Sequence, residues 1–225
     1  MPLAPARISG PGYTPSHAGY DPRTLTAVQR DALREVANIG AGHAATALSQ
    51  LTGSPIMISV PTVHVAPLGQ IAPQIARPDE TVAAVLMDVM GDLTGRTLLV
   101  LPKPTVLRLA ERMLRRPVGA SVALGEMERS ALKEAGNILS GAYLNALSDF
   151  MALVVLPSPP TLALDRAEAV FTPAFFRLEA TRDDHVFVVE TEFVVQDVAE
   201  PLRGFFLLLP DPPSLGLILR AARVA

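Results

Sequence analysis

Two stretches of the sequence carry a glutamate followed three residues later by an asparagine. They are Glu35 with Asn38 and Glu134 with Asn137, and the second pair lies 99 residues after the first. Residues three apart share one side of an α-helix, so each pair would present a carboxylate beside a carboxamide. A carboxylate can pair with a cation, and a carboxamide both donates and accepts hydrogen bonds without a charge. The pattern is compatible with a functional site, but it is also common on a solvated helix face.

Each pair belongs to a longer polar stripe that is repeated in register. The apolar positions between the polar ones predict two long helices, at about 24–51 and 126–150, each with one buried face. The stripe should therefore point away from the core. After each asparagine, 22 residues intervene before a proline, Pro61 or Pro160. The stripes are Asp31, Glu35, Asn38 and Gly42 in the first helix, and Ser130, Glu134, Asn137 and Gly141 in the second.

Four glycines stand inside the predicted helices, where each costs roughly 0.5–1 kcal/mol relative to alanine. They are Gly40 and Gly42 in the first helix and Gly136 and Gly141 in the second. One explanation is close packing of helix against sheet, and another is that a partner's backbone approaches the stripe. We favour the second explanation for Gly42 and Gly141, and we interpret both, with Asp31 and Ser130, as partner contacts.

The order of elements is also repeated along the chain. Each half has a long helix, several strand-like apolar runs and a short helix. The segment LLVLPKP at 98–104 recurs as FLLLPDP at 206–212, so about nine extra residues lie in the second half, and we place them between Asp165 and Asp184. The predicted strands are 56–60, 62–65, 82–89, 97–101, 152–156, 185–195 and 205–209, and the short helices are 104–115 and 213–222.

Because neither half could cover both faces of its strands, we predict one α/β (α+β) domain with pseudo-two-fold symmetry. Its sheet would carry the two long helices on one surface, with two shorter helices. The domain would span 23–225, with repeats at about 24–120 and 125–225. Residues 1–22 are rich in proline and glycine, so we expect a disordered tail there.

The composition argues against several kinds of site. The chain has 225 residues, of which 49% are hydrophobic and 18% charged, and a net charge of −3, as in ordinary globular domains. It has no cysteine and four scattered histidines, so we expect no metal site and no cofactor of its own. The acidic balance argues against nucleic acid. No run reaches the roughly 20 apolar residues that cross a bilayer, so we expect no membrane association and a cytoplasmic protein.

Three segments carry a family resemblance: EVANIGAGHAATALSQLTG at 35–53, VPTVHVAPL at 60–68 and EAGNILSGAYLNALSDF at 134–150. They resemble the signature helices of the CheC-type chemotaxis phosphatases, a family related to CheX and to flagellar-switch proteins such as FliY. The resemblance extends over about 24–225. It implies two long helices on one surface of a β-rich domain, and dephosphorylation of the phospho-aspartate of a CheY-type response regulator.

In the mechanism that the resemblance implies, Glu35 and Glu134 each pair with the lysine of a docked regulator. Asn38 and Asn137 reach into the regulator's site and orient the attacking water, since an uncharged amide does not repel the phosphate. Mg²⁺ is supplied by the regulator. With a complete pair in both helices, we expect two active sites.

Two other functions remain open. The chain could be a binding module that docks a phosphorylated regulator or a CheD-type deamidase without turnover, or, less readily, a flagellar-switch component. We expect a monomer, because the duplicated halves could satisfy each other. The remaining residues of note have structural interpretations: His43, His64 and His185 as surface or packing residues, Tyr143 and Met151 as core, and Arg112, Arg115 and Arg116 as a solvated helix end.

Overall fold

The computed structural model describes residues 22–172, 185–195 and 202–221. The predicted tail at 1–22 lies outside these residues except for Pro22, which opens a short 3₁₀ turn, Pro22–Thr24. None of the helices in these ranges combines the length and the hydropathy of a transmembrane span.

The helices include the two predicted long ones, with nearly the predicted bounds. In chain order they are α1 (Ala27–Thr52), α2 (Leu68–Ile75), α3 (Lys103–Met113), α4 (Glu126–Met151), α5 (Ala167–Val170) and α6 (Pro212–Ala221). The sequence interpretation missed α2 and α5. Helix α2 contains Pro73, and neither helix has a side-chain cap at its start, so the usual signals for a helix are absent there.

The strands form one antiparallel sheet. They are β1 (Ile56–Ile58), β2 (Thr62–Pro67), β3 (Thr81–Gly91), β4 (Gly95–Pro102), β5 (Val155–Pro157), β6 (Thr161–Arg166), β7 (His185–Val195) and β8 (Leu202–Pro210). Strand β6 was not predicted, and the run predicted at 152–156 is a strand only from Val155. The predicted fold class, a pseudo-symmetric α/β domain with both long helices on one surface, is confirmed.

The two halves exchange strands in this sheet. The order is β1-β7-β8-β4-β3-β5, with β2 also paired to β7 and β6 also paired to β3. Strands β1 and β2 of the first half therefore pair with the second half, and β5 and β6 pair with the first. The β4–β8 pair joins the halves at the centre. Each half completes the sheet of the other, so neither half has a closed sheet of its own.

The pairing register shows how far apart the repeated strands lie in sequence. Thr62 of β2 pairs with Glu190 of β7, and the equivalent Thr161 of β6 pairs with Leu86 of β3. The long helices α1 and α4 and the strands β2 and β6 are offset by 99 residues, whereas β3 and β7 are therefore offset by 104.

The offset increases again at the next strand, which corrects the predicted insertion. The same Leu86 also pairs with Leu98, and Glu190 pairs with Leu207, so β4 and β8 are offset by 109. The second half thus has ten extra residues, of which five lie between Asp165 and Asp184 and five between β7 and β8. The match of LLVLPKP to FLLLPDP was wrong by one residue, and a one-residue shift moves every side chain to the other sheet face.

The sheet has a helix layer on each face. Alternating residues of the strands point to opposite faces, as the two-residue period of a strand requires. One face packs against α1, α3, α4 and α6, and it includes Val85, Leu99, Phe206 and Leu208. The other face packs against α2 and α5, and it includes Val82, Leu98 and Leu207. The long helices therefore share one layer, on the larger of the two buried clusters.

Tyr143 and Met151 lie in the core, as predicted. The Tyr143 ring packs 5.0 Å from the Phe206 ring, centroid to centroid. Its hydroxyl is buried and has no hydrogen-bond partner among the described residues. Burial also raises the pKa of this phenol far above its ordinary value.

Replacing Tyr143 by phenylalanine should therefore stabilise the protein. An unsatisfied buried hydroxyl costs about 1–3 kcal/mol, so we expect the free energy of unfolding to rise by about 1 kcal/mol. Urea denaturation of the wild type and Tyr143→Phe measures the difference. A loss of stability would mean that a bound water satisfies the hydroxyl.

Two buried glutamates fix the connection between α3 and α4. The Glu111 carboxylate accepts the backbone N–H of Gly119 at 3.0 Å and that of Ser121 at 2.7 Å. The Glu128 carboxylate accepts the Ser121 hydroxyl at 3.0 Å and Arg116 Nη1 at 2.6 Å. Hydrogen bonds from its own backbone N–H and from the Ser121 hydroxyl lower the pKa of Glu128. These contacts set where α4 begins.

The arginines at the end of α3 differ from the prediction. Arg116 forms the ion pair with Glu128, and Arg112 Nη1 donates to the Ser54 hydroxyl at 2.9 Å. The prediction that both arginines belong to a solvated helix end was wrong. Arg112 contacts the segment that follows α1, and Arg116 contacts the first turn of α4. Arg115 is exposed, as predicted.

Candidate functional site

The polar stripes lie on the outer faces of α1 and α4. Glu35, Asn38, Glu134 and Asn137 are all exposed. The opposite faces of these helices are buried, because an α-helix with one apolar side must turn that side to the core. The residues buried on these faces include Leu33, Val36, Ala37, Gly40, Ala41, Ala44 and Leu48 in α1, and Leu132, Ala135, Gly136, Leu139 and Tyr143 in α4.

The start of α1 is fixed by a capping box. The Thr26 hydroxyl accepts the Gln29 N–H at 3.2 Å, and the Gln29 carboxamide oxygen accepts the Thr26 N–H at 2.9 Å. This reciprocal pair satisfies two of the N–H groups left free at a helix start. At α4, the Glu128 contacts with Ser121 and Arg116 tie the first turn of the helix to the connection that precedes it.

Contacts between the long helices show that they run antiparallel. A Cβ placed on Gly40 would lie 3.0 Å from the Tyr143 ring, and Leu147, one turn later in α4, lies near Val36, one turn earlier in α1. On this register Asn38 is level with a residue about two turns beyond Asn137. Along the helix axes the two asparagines are therefore separated by roughly 12 Å and the two glutamates by roughly 21 Å, so each pair is a separate local site.

The four predicted catalytic side chains have no hydrogen bond or ion pair within the described part of the chain. By contrast, Asp31 forms an exposed ion pair with Arg34, at 3.1 Å. The ion pair of Asp31 is therefore formed within its own helix, and exposed ion pairs of this kind contribute little to stability. The Glu and Asn side chains remain available to a partner.

The repeated prolines mark strand starts. Pro61 directly precedes β2, and Pro160 directly precedes β6. The first position of a strand tolerates a residue without an N–H. The constant spacing from asparagine to proline therefore follows from the repeated helix–strand unit.

The four helical glycines fall into two structural groups. A Cβ on Gly136 would lie 2.5 Å from Val85 Cγ1, so this glycine permits close packing of α4 on the sheet, as Gly40 permits packing against Tyr143. No heavy atom outside the helix backbone lies within 4 Å of a Cβ on Gly42 or Gly141. Packing within the chain therefore explains Gly40 and Gly136, but it does not explain Gly42 and Gly141 on the polar stripes.

Alanine substitutions should separate these groups. Gly42→Ala and Gly141→Ala should each raise the free energy of unfolding by about 0.5–1 kcal/mol, because alanine favours the helix and meets no neighbour. Gly136→Ala should lower it by about 1–3 kcal/mol through overpacking. If the stripe glycines admit a partner's backbone, the first two variants should also bind that partner more weakly, as titration calorimetry would show. Unchanged affinity in these stabilised variants would contradict that role.

The histidines do not form a site among the described residues. His43 is exposed, and His64 Nε2 lies 2.9 Å from a Glu190 carboxylate oxygen in the neighbouring strand. His185 begins β7, and its side chain lies outside the described set. In the described ranges no three His, Asp or Glu side chains cluster so that they could hold a metal ion.

The sequence interpretation missed the positioning residues Glu111 and Glu128. Glu111 stands among the apolar residues of α3, directly after Ala110, and it is 2% exposed. A glutamate within the apolar side of a helix is the signal that could have identified it, because a buried carboxylate requires hydrogen-bond donors.

The chain is similar in sequence to known proteins, including over its two long helices. The model of the CheC-like family matches residues 28–65 and 127–164, which contain both Glu–Asn pairs. The CheY-P phosphatase CheC of Bacillus subtilis is 35% identical over 188 residues, covering 83% of this chain and 90% of that protein.

Solved structures share the fold. The crystal structure of Thermotoga maritima FliY superposes with a TM-score of 0.72 at 24% identity, covering 89% of this chain and 98% of that one. A chain of the CheX–CheY–BeF₃–Mg²⁺ complex from Borrelia burgdorferi superposes with a TM-score of 0.53 at 14% identity, covering 77% of this chain and 96% of that one.

Proposed function

Since the chain belongs to the CheC-like family, we propose that it is a phosphatase that hydrolyses the aspartyl phosphate of a CheY-type response regulator. The observation that carries the proposal is the duplicated Glu–Asn pair, exposed on both long helices and free of partners among the described residues. The relative from Bacillus subtilis, named as a CheY-P phosphatase, supports the same activity.

The glutamates would dock the regulator. Glu35 and Glu134 are exposed carboxylates, each one turn before an asparagine on the same helix face. A lysine ammonium in the regulator's site can pair with such a carboxylate when the regulator's surface meets the stripe. The open positions beside Gly42 and Gly141 would allow that surface to approach the helix backbone closely.

The asparagines would orient the water. In hydrolysis of an acyl phosphate, the water oxygen attacks phosphorus and the aspartate carboxylate leaves, releasing inorganic phosphate. An in-line water needs an acceptor for one of its protons and a donor toward its oxygen, and the carboxamides of Asn38 and Asn137 offer both. Because the amide carries no charge, it does not repel the phosphoryl oxygens. Positioning of this kind is a large part of catalysis in phosphoryl transfer.

The metal in this proposal belongs to the regulator. The solved CheX complex contains CheY, BeF₃ and Mg²⁺, and Mg²⁺ in the regulator's site would neutralise the charge that develops on the phosphoryl group. The residues of this chain would contribute only the carboxylate and the carboxamide.

The direct test is the decay of a phosphorylated CheY-type regulator from the same source, followed by phosphate release. A substoichiometric amount of this protein should accelerate the decay, because each molecule of it would dephosphorylate many regulator molecules. Tight binding of the phosphorylated regulator without turnover would instead support a docking module.

A CheD-type deamidase as a second partner and a monomeric state are further parts of the proposal. A stable dimer in light scattering would contradict the latter.

A further inference from the structure

A cavity of about 600 Å³ lies between α3, the connection from α3 to α4, and the edge strand β6. Its walls are largely apolar and come from all three of these elements. None of its lining residues belongs to the polar stripes. The apolar wall consists of Val106, Leu107, Val118, Leu124 and Leu164.

The wall that β6 contributes to the cavity is unusual because its apolar side chain is exposed. Leu164 is 43% exposed, although it is a large apolar side chain, and Val118 on the facing connection is 63% exposed. Apolar surface of this kind in a concave site is typical of places where another molecule binds. A volume of this size lies within the range of small-molecule pockets, about 300–1,000 Å³.

The charged groups around the cavity favour an anionic ligand. Lys103 lines the cavity, is exposed and has no ion pair within the described ranges, and Arg108 lines it as well. The single acidic group of the lining is Glu111, whose two carboxylate oxygens already accept the Gly119 and Ser121 N–H groups. Glu111 is 2% exposed and faces these two N–H groups, so the exposed charged group without an ion pair at the cavity is Lys103.

We propose that this cavity is a binding site for a small amphipathic anion, with an apolar body and one acidic group. The apolar body would replace water against Leu107, Leu124 and Leu164, because removing apolar surface from water is favourable. The acidic group would lie beside Lys103 at the cavity mouth. This site is separate from the Glu–Asn pairs and does not depend on the proposed phosphatase activity.

The test uses the full chain and the fluorescent probe 1-anilinonaphthalene-8-sulfonate, which is itself an aromatic anion. Its fluorescence should rise on titration and saturate at one probe per chain. Decanoate should displace the probe, whereas decyltrimethylammonium, with the same chain and a positive head, should not. Non-saturable fluorescence, or equal displacement by both competitors, would overturn the proposal.

Matched variants localise the site. Leu164→Asp places a negative charge in the wall and should weaken probe binding by at least about tenfold. Leu156→Asp, a similarly exposed leucine on the neighbouring strand β5 and outside the cavity, should not. Lys103→Gln should weaken binding about three- to fivefold, whereas Lys133→Gln, which alters the one other lysine of the sequence, should leave it unchanged.

Equal losses in the test and control variants would overturn the assignment, and thermal unfolding of each variant checks that it is folded. Light scattering on the same samples tests whether a second copy of the chain occupies the cavity. A dimer that Leu164→Asp converts to a monomer would show that it does, and would also overturn the proposal.

Discussion

The double substitution Asn38→Ala with Asn137→Ala should reduce the phosphatase rate on the order of 100-fold, because loss of a positioned water has effects of that size. Both side chains are exposed and without partners among the described residues, so the fold should be unaffected. Each single variant should retain about half of the wild-type rate, since the two pairs are separate sites. The measurement is phosphate release from the phosphorylated regulator at saturating concentration.

Controls separate positioning of water from docking and from general effects of substitution. Asn38→Asp in the Asn137→Ala background keeps the size of the side chain but adds a charge that repels phosphate, and should also be inactive. Gln74→Ala removes an exposed carboxamide on α2, on the other side of the sheet, and should be fully active. Loss of all activity in one single variant would show that just one site is competent, and full activity of the double variant would exclude the proposed role of asparagine.

The largest effect on stability should follow Glu111→Ala. This substitution removes two charge-assisted hydrogen bonds and leaves the Gly119 and Ser121 N–H groups without their acceptor. We expect the free energy of unfolding to fall by about 3 kcal/mol, since hydrogen bonds to charged groups contribute roughly 1.5–3 kcal/mol each. Urea denaturation, analysed by linear extrapolation, measures the change.

Two further variants calibrate this result. Glu111→Gln keeps one carbonyl acceptor and loses the charge, so it should fall between the wild type and Glu111→Ala. Glu126→Ala removes an exposed glutamate from the first turn of α4 and should change stability by less than about 0.5 kcal/mol. A Glu111→Ala protein as stable as Glu126→Ala would show that water replaces the carboxylate at the connection.

Much of the candidate site could be predicted from the sequence. The long helices were predicted almost to their observed ends because they are amphipathic over 26 residues each, and periodicity is a local property. The exposure of Glu35, Asn38, Glu134 and Asn137 followed from the same periodicity. Their roles in catalysis remain predictions.

The errors occurred where local signals are weak. Helix α2 contains a proline, α5 has four residues, and β6 alternates imperfectly between apolar and polar residues. The insertion was misplaced because LLVLPKP was aligned with FLLLPDP by the similarity of their residues, whereas strand pairing fixes the register by which side chains face the core.

The sequence by itself therefore determined the duplication, the two long helices and the outward direction of their polar stripes, since each is encoded in the spacing of residues along one segment. Only the tertiary structure decided which strands the halves exchange, which glycines pack against neighbours, and how Glu111 and Glu128 hold the connection into α4. These features depend on contacts between residues far apart in the chain. Such contacts are set by packing and by the need to satisfy buried polar groups, and no local pattern records them.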